Sequence, residues 1–258
     1  MGPELPAEAD AAVQSQIVPR RARGELLRIG TLSGIAGYVD AVGFATLLGL
    51  FPAHLTGELV EAVVAITHGE ASSKAVRIAM IPIFIGAVVL AALVSRGLRR
   101  RGRTPLGPLL ALMTAALSLF TVTGAAFPAL VGTSPSMALL LAGGSAVAAM
   151  GFQNAFMRQA TVSSCPTTMM TGNLTQLIIE LVELGFRSRG EPGFADAFEK
   201  RDPRRLRMVS TALAGFLGGA LLGAVLTTRI GLFSIAVPAA ACACLTVLAY
   251  REAHRAAY

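Results

Sequence analysis

The sequence predicts an all-α polytopic membrane protein: six transmembrane helices plus two re-entrant half-helices, arranged as an inverted 3+3 repeat. Three observations carry this. Of 258 residues, 54% are hydrophobic and 14% charged, against about 25% charged in ordinary soluble domains, and the mean hydropathy is +0.65. Several apolar runs approach the ~20 residues that cross a bilayer. A polar motif inside these runs also occurs twice, about half a chain apart.

The first copy reads Gly37–Tyr38–Val39–Asp40–Ala41, then His54–Leu55–Thr56–Gly57–Glu58. The second reads Gly151–Phe152–Gln153–Asn154–Ala155, then Met170–Thr171–Gly172–Asn173. Each copy sets a polar residue in an apolar run and then opens a helix with Thr-Gly.

Six runs are long enough to span: 30–50, 78–96, 107–127, 137–157, 207–227 and 231–250. At ~1.5 Å per residue each covers the ~30 Å hydrocarbon core. Two further helical segments, 55–67 and 168–185, carry acids and poorly suit a lipid-facing span. Basic residues decide their course. If all eight segments cross and the N-terminus is cytoplasmic, 15 basic residues fall inside and 7 outside. If the two short segments enter and leave on one side, 19 fall inside and 3 outside, which obeys the positive-inside rule far better. With three crossings per half, the second half is inverted. The halves are then 29–135 and 136–250, with cytoplasmic tails at 1–28, expected disordered, and 251–258. The run after Arg28 is too long for a signal h-region and has no small-residue cleavage site, so it reads as a retained span.

The net charge of +7 clusters beside apolar runs, where it orients spans and meets anionic lipid. No nucleic-acid-binding motif is present. The three cysteines form no Cys-x-x-Cys or Cys/His pattern, so neither zinc nor a disulfide framework is expected. No cofactor or metal is expected. An intramembrane aspartyl protease needs two membrane aspartates and Asp40 stands alone within a span; His-Glu-x-x-His is absent. The chain is read as no enzyme.

Asp40 lies near mid-depth of the first run, where a charge costs ~2.5–3.5 kcal/mol on insertion scales. It reads as a proton or cation site, or as a packing aspartate that bonds backbone freed by the Thr56–Gly57 break. Asn154, its counterpart, reads as ligand contact or interhelical bond; Gln153 beside it is weaker. Thr56–Gly57–Glu58 and Thr171–Gly172–Asn173 start the half-helices, where threonine can cap and free N–H groups favour anions or ligand oxygens. Glu58 could occupy that positive end itself or pair with a cation. Glu61 follows at i+3 on the same face, and Thr175 falls near the matching place in the second copy. His54 could sense pH or gate entry, or be ordinary surface.

These residues carry a resemblance. Gly37–Phe44, Phe51–Gly57, Gly151–Ala155 and Thr171–Thr175 look like the YoaK-type bacterial membrane proteins, a family of unknown function. The resemblance covers roughly residues 30–250. It implies a bacterial inner-membrane protein, and supplies no substrate. The chain departs at Glu58, where that family usually has asparagine. The function expected is a small-solute transporter or channel, its site between the two Thr-Gly starts and linked to protons or cations through Asp40. The alternative is a non-transporting scaffold or lipid-binding protein, with an intramembrane enzyme behind it. Partners expected are the bilayer, anionic lipids at the arginine-rich loops, and an unidentified small solute or ion; both termini face the cytoplasm, and a homo-oligomer is left open.

Overall fold

The computed structural model describes residues 7–68, 71–127, 136–159, 165–188 and 203–255. Every element among them is helical: α1 (Ala7–Thr46), α2 (Leu55–His68), α3 (Ala71–Arg100), α4 (Leu106–Ala126), α5 (Met137–Gln159), α6 (Met170–Ser188), α7 (Pro203–Ile230), a 3-10 turn (Gly231–Ile235) and α8 (Ala236–Arg255). Each of the eight segments expected from the sequence is present as a helix.

Four stretches are long and apolar enough to cross a membrane: Arg77–Arg100, Leu106–Ala126, Met137–Gln159 and Arg204–Arg255, the last comprising α7, the turn and α8.

Three boundaries differ from expectation. Helix α1 begins at Ala7, inside the stretch expected as a disordered tail over 1–28, because that stretch is rich in alanine, glutamate and glutamine, which favour helix. It ends at Thr46 rather than 50, because Leu48 and Gly49 take positive φ (55° and 76°) and turn the chain back. The last run opens with the 3-10 turn, entered through Gly231 at φ 60°. The expected junction at 135/136 borders residues 128–135, and the basic loop expected over 187–207 lies largely outside the described residues.

Helix α5 is the centre of the bundle: 78% of its apolar window is buried, against 22% for α3. Helix α1 packs on α7 and α3 on α5; α2 leans on α3 and α6 on α7; α4 packs on α5 and α8. The α1–α7 seam is made by small residues. A Cβ on Gly34 would lie 3.3 Å from the Gly215 carbonyl oxygen, and one on Gly223 2.8 Å from that of Tyr38. A Cβ on Gly219 would overlap the carbonyl of Gly34. Such backbone-to-backbone packing is what holds helices together where lipid removes the hydrophobic drive.

Helix directions follow from the contacts. Helices α1 and α7 run parallel, with Gly30 at Thr211 and Tyr38 at Gly223. Helices α3 and α5 are also parallel, with Ile83 at Gly144 and Ala87 at Gly151. By contrast α4 and α8 are antiparallel, with Gly107 at Tyr250 and Gly124 at Leu232. So are α1 and α5: Gln153 bonds the Leu32 carbonyl, while Gly143 meets Leu50 just beyond the end of α1.

Replacing Gly219 by alanine is expected to lower stability by ~1–3 kcal/mol, the usual cost of overpacking. Gly218→Ala, with nothing within 4 Å of the added carbon, should hold or raise it, because alanine favours a helix interior over glycine by up to ~1 kcal/mol. Thermal unfolding of the two variants in detergent checks this, and equal midpoints would count against the seam.

Candidate functional site

The turn at Leu47–His54 brings the chain back over the end of α1, and two carboxylates secure it from opposite sides. Asp40, 4% exposed, accepts through Oδ1 from the Ala53 N–H at 2.7 Å and through Oδ2 meets His54 Nδ1 at 2.5 Å. Glu58, fully buried in the first turn of α2, accepts from the Phe51 N–H at 2.7 Å through Oε1. Its Oε2 takes the Arg77 guanidinium. Arg77 also donates to the Leu48 carbonyl at 2.8 Å and reaches Glu61 at 2.9 Å. An arginine with both terminal nitrogens engaged is what makes a buried carboxylate tolerable; without it the desolvation of Glu58 costs several kcal/mol.

His54 is the meeting point of this cluster and the aromatic residues around it. Phe44 stacks on Phe51 at 4.9 Å, and His54 stands edge-on to Phe51 at 6.5 Å and to Phe216 of α7 at 5.8 Å. Between them lies an apolar pocket of about 410 Å³ lined by Gly37, Asp40, Ala41, Phe51, Phe216 and Ala220, with His54 on its wall. The pair thus presents one imidazole and one carboxylate to an otherwise apolar space. It can hold or pass a proton, and bind a cation or a hydrogen-bonding group. No third His, Cys, Asp or Glu joins it among the described residues to complete a metal site.

The second copy repeats the same geometry with neutral groups. Asn154 accepts through Oδ1 from the Thr168 hydroxyl at 2.8 Å and donates to the Met150 carbonyl at 3.0 Å. Asn173, 3% exposed, donates to the Pro166 carbonyl at 2.7 Å. The spans match: 14 residues from Asp40 to His54 and from Asn154 to Thr168, then 7 from Phe51 to Glu58 and from Pro166 to Asn173. The substitution at Glu58 has a local reason. In the first copy the loop offers an N–H donor, which suits a carboxylate; in the second it offers a carbonyl, which needs an amide donor.

Gln153, fully buried, donates to the Leu32 carbonyl and the Thr167 hydroxyl, both at 2.9 Å. It therefore ties the second cluster to α1, eight residues below Asp40, or ~12 Å along the helix.

Asp40, His54, Glu58 and Glu61 thus form one cluster and Gln153, Asn154 and Asn173 another. The expected single site between Asp40, Asn154 and both Thr-Gly starts is not assembled among the described residues. Thr56, Gly57, Thr171, Gly172 and Thr175 are exposed, and Thr175 bonds only its own helix, at the Thr171 carbonyl. Helices α2 and α6 begin at Leu55 and Met170, so the threonines sit at second helical positions rather than at caps. Glu58 and Asn173, two positions on, take the inward side, and helical geometry turns the threonines away.

Arg77, Thr168 and Phe216 join these clusters from outside the doubled motif. Thr168 had a signal: it follows Pro166 by two positions, as His54 follows Pro52. Arg77 and Phe216 had none, being delivered by the α2–α3 and α1–α7 packing.

Residues 29–248 match the model of a family described as proteins of unknown function, DUF1275, and the chain belongs to that family. No curated protein and no solved structure matches it.

The Asp40 hydrogen bond raises His54 above its ordinary 6.5, with burial opposing and the Asp40 charge assisting. The contribution of the pair is therefore complete below ~6.5 and is lost as pH rises through the raised folded value. The unfolding midpoint in detergent should fall with pH above ~6.5, and His54→Asn should flatten that slope. Equal slopes in both proteins would remove the histidine from the pH response.

Proposed function

We propose that this is a multi-pass inner-membrane protein with six spans and two re-entrant half-helices, both termini cytoplasmic. On this reading it carries a small solute or ion through the Asp40–His54 pocket. Helix direction supports the topology. If α2 and α6 both crossed, alternation would make α4 parallel to α8 and α1 parallel to α5; both pairs are antiparallel. Helix α2, at 14 residues, covers only ~21 Å of a ~30 Å core. The exchange of partners supports an inverted repeat over 29–135 and 136–250. Helix α1 on α7 answers α5 on α3, and α2 on α3 answers α6 on α7.

The observation that carries the transport reading is the carboxylate–imidazole pair on the wall of an apolar pocket between two spans. Ionisable residues at such depth are costly and ordinarily serve an ion or substrate path. Asp40 is the proton- or cation-binding group in this reading and His54 its partner. Glu58 and Arg77 hold the loop that closes the pocket, and no residue is assigned a catalytic role.

A non-transporting membrane scaffold is the second reading. The outward position of Thr56, Gly57, Thr171 and Gly172, with open space around both glycines, favours it.

Two experiments bear on these readings. In a cysteine-free background, Thr67→Cys should react with an impermeant maleimide from outside and Arg103→Cys only after permeabilisation; the reverse pattern would sink the topology. Reconstituted wild type should pass protons, read by an internal pH dye under an imposed membrane potential, and Asp40→Asn should fall to the level of empty liposomes. Wild type indistinguishable from empty liposomes supports the scaffold, and equal flux in both proteins removes Asp40 from the path.

A further inference from the structure

We infer that the adjoining ends of α3 and α5 form a binding site for the phosphate of an anionic phospholipid. The inference does not rest on the transport reading. A cleft of about 700 Å³ opens there, lined by Ala92, Ser95, Arg96, Arg99 and Arg100 of α3 and by Arg158 near the end of α5. No carboxylate lines it. Arg99 donates to the carbonyl of Gln159, the last residue of α5, and so closes that helix. Arg96, Arg100 and Arg158 stand in no ion pair among the described residues. Two helix C-termini contribute only about half a negative charge each, so four guanidinium groups leave the cleft strongly positive.

Ser95 adds a second, independent observation. The residue is 2% exposed, and its hydroxyl is buried without a hydrogen-bond partner among the described residues. Leaving such a group unsatisfied costs ~1–3 kcal/mol. A phosphate oxygen in the cleft would accept from it, while guanidinium groups bind phosphate through paired N–H donors.

The surface beside the cleft selects lipid over free phosphate. Along α3, Ile85, Val89, Ala92, Arg96 and Arg99 recur at helical spacing and form one stripe. Its apolar part is open, with Ile85 55% and Val89 50% exposed. The stripe is therefore amphiphilic in the sense a phospholipid needs: room for an acyl chain toward the middle of the span, and positive charge where the headgroup phosphate lies.

Native mass spectrometry of the full chain in detergent, with phosphatidylglycerol as the probe, tests this. Wild type should retain phosphatidylglycerol against excess phosphatidylcholine. The triple variant Arg96→Gln/Arg100→Gln/Arg158→Gln should lose about tenfold or more in affinity, and Ser95→Ala about tenfold. Arg101→Gln/Arg103→Gln removes two charges from the same loop outside the cleft and should bind as wild type. An equal loss in that control would overturn the site in favour of diffuse attraction. Displacement by inorganic phosphate at matched concentration would overturn the lipid assignment in favour of a soluble phosphate. Thermal midpoints measured alongside separate loss of the site from loss of the fold.

Discussion

Where α1 meets α7 the two backbones touch, and the Asp40–His54 pocket takes its position from that contact. With glycine at 34 and 37 on one helix and at 215, 219 and 223 on the other, carbonyl oxygens lie where side chains would otherwise stand. The approach sets Phe216 beside His54 and places Gly37 and Ala220 on the pocket wall. A helix pair held at ordinary side-chain distance would open that pocket, and Phe216 would lie too far from the histidine to shield the face of the Asp40 pair. Close packing of small residues here serves the site as much as the fold.

The two copies of the motif solve one mechanical problem with different chemistry. Each must hold a loop against the end of a long helix, with proline followed by two further residues in the first copy and by three in the second. Backbone away from water has to be bonded by something, and each copy uses one side chain 14 residues from its partner and another 7 residues away. In the first copy the side chains are charged and need Arg77 and His54 as counter-groups; in the second, amides and hydroxyls suffice. The Asp40–His54 bond of the first copy changes with protonation, while the Asn154–Thr168 and Asn173–Pro166 bonds of the second join neutral groups.

The sequence makes the eight helices legible, because apolar runs and Thr-Gly breaks leave strong local traces. It makes the polar residues of the first cluster legible too: Asp40, His54 and Glu58 stand out in apolar surroundings. Arg77 leaves no such trace, since its distance from Glu58 in space is set by the hairpin of α2 and α3. The turn at Leu48–Gly49 was hidden inside a continuous apolar run, where only the backbone dihedrals reveal it. The Thr-Gly pairs read as central because they punctuate the chain. Punctuation marks a helix start without saying which way its side chains face, and the inward face belongs to Glu58 and Asn173. Matching the two copies from their prolines aligns Asp40 with Asn154 and His54 with Thr168, whereas the Thr-Gly register aligns Phe51 with Pro166 and Glu58 with Asn173, because the second copy has one more residue between proline and Thr-Gly.

The exchange of partners between halves also has a consequence for biosynthesis. The glycine face of α1 finds its match only in α7, so it leaves the ribosome about 180 residues before that match exists. At ~5–20 residues per second this is a wait of roughly 10–40 s. A large apolar face left unmatched for that time in water would invite aggregation. A glycine face in lipid loses little, because it presents few atoms to solvate and its backbone bonds are already made within the helix. Small residues along α1 therefore allow a helix made first to be packed last.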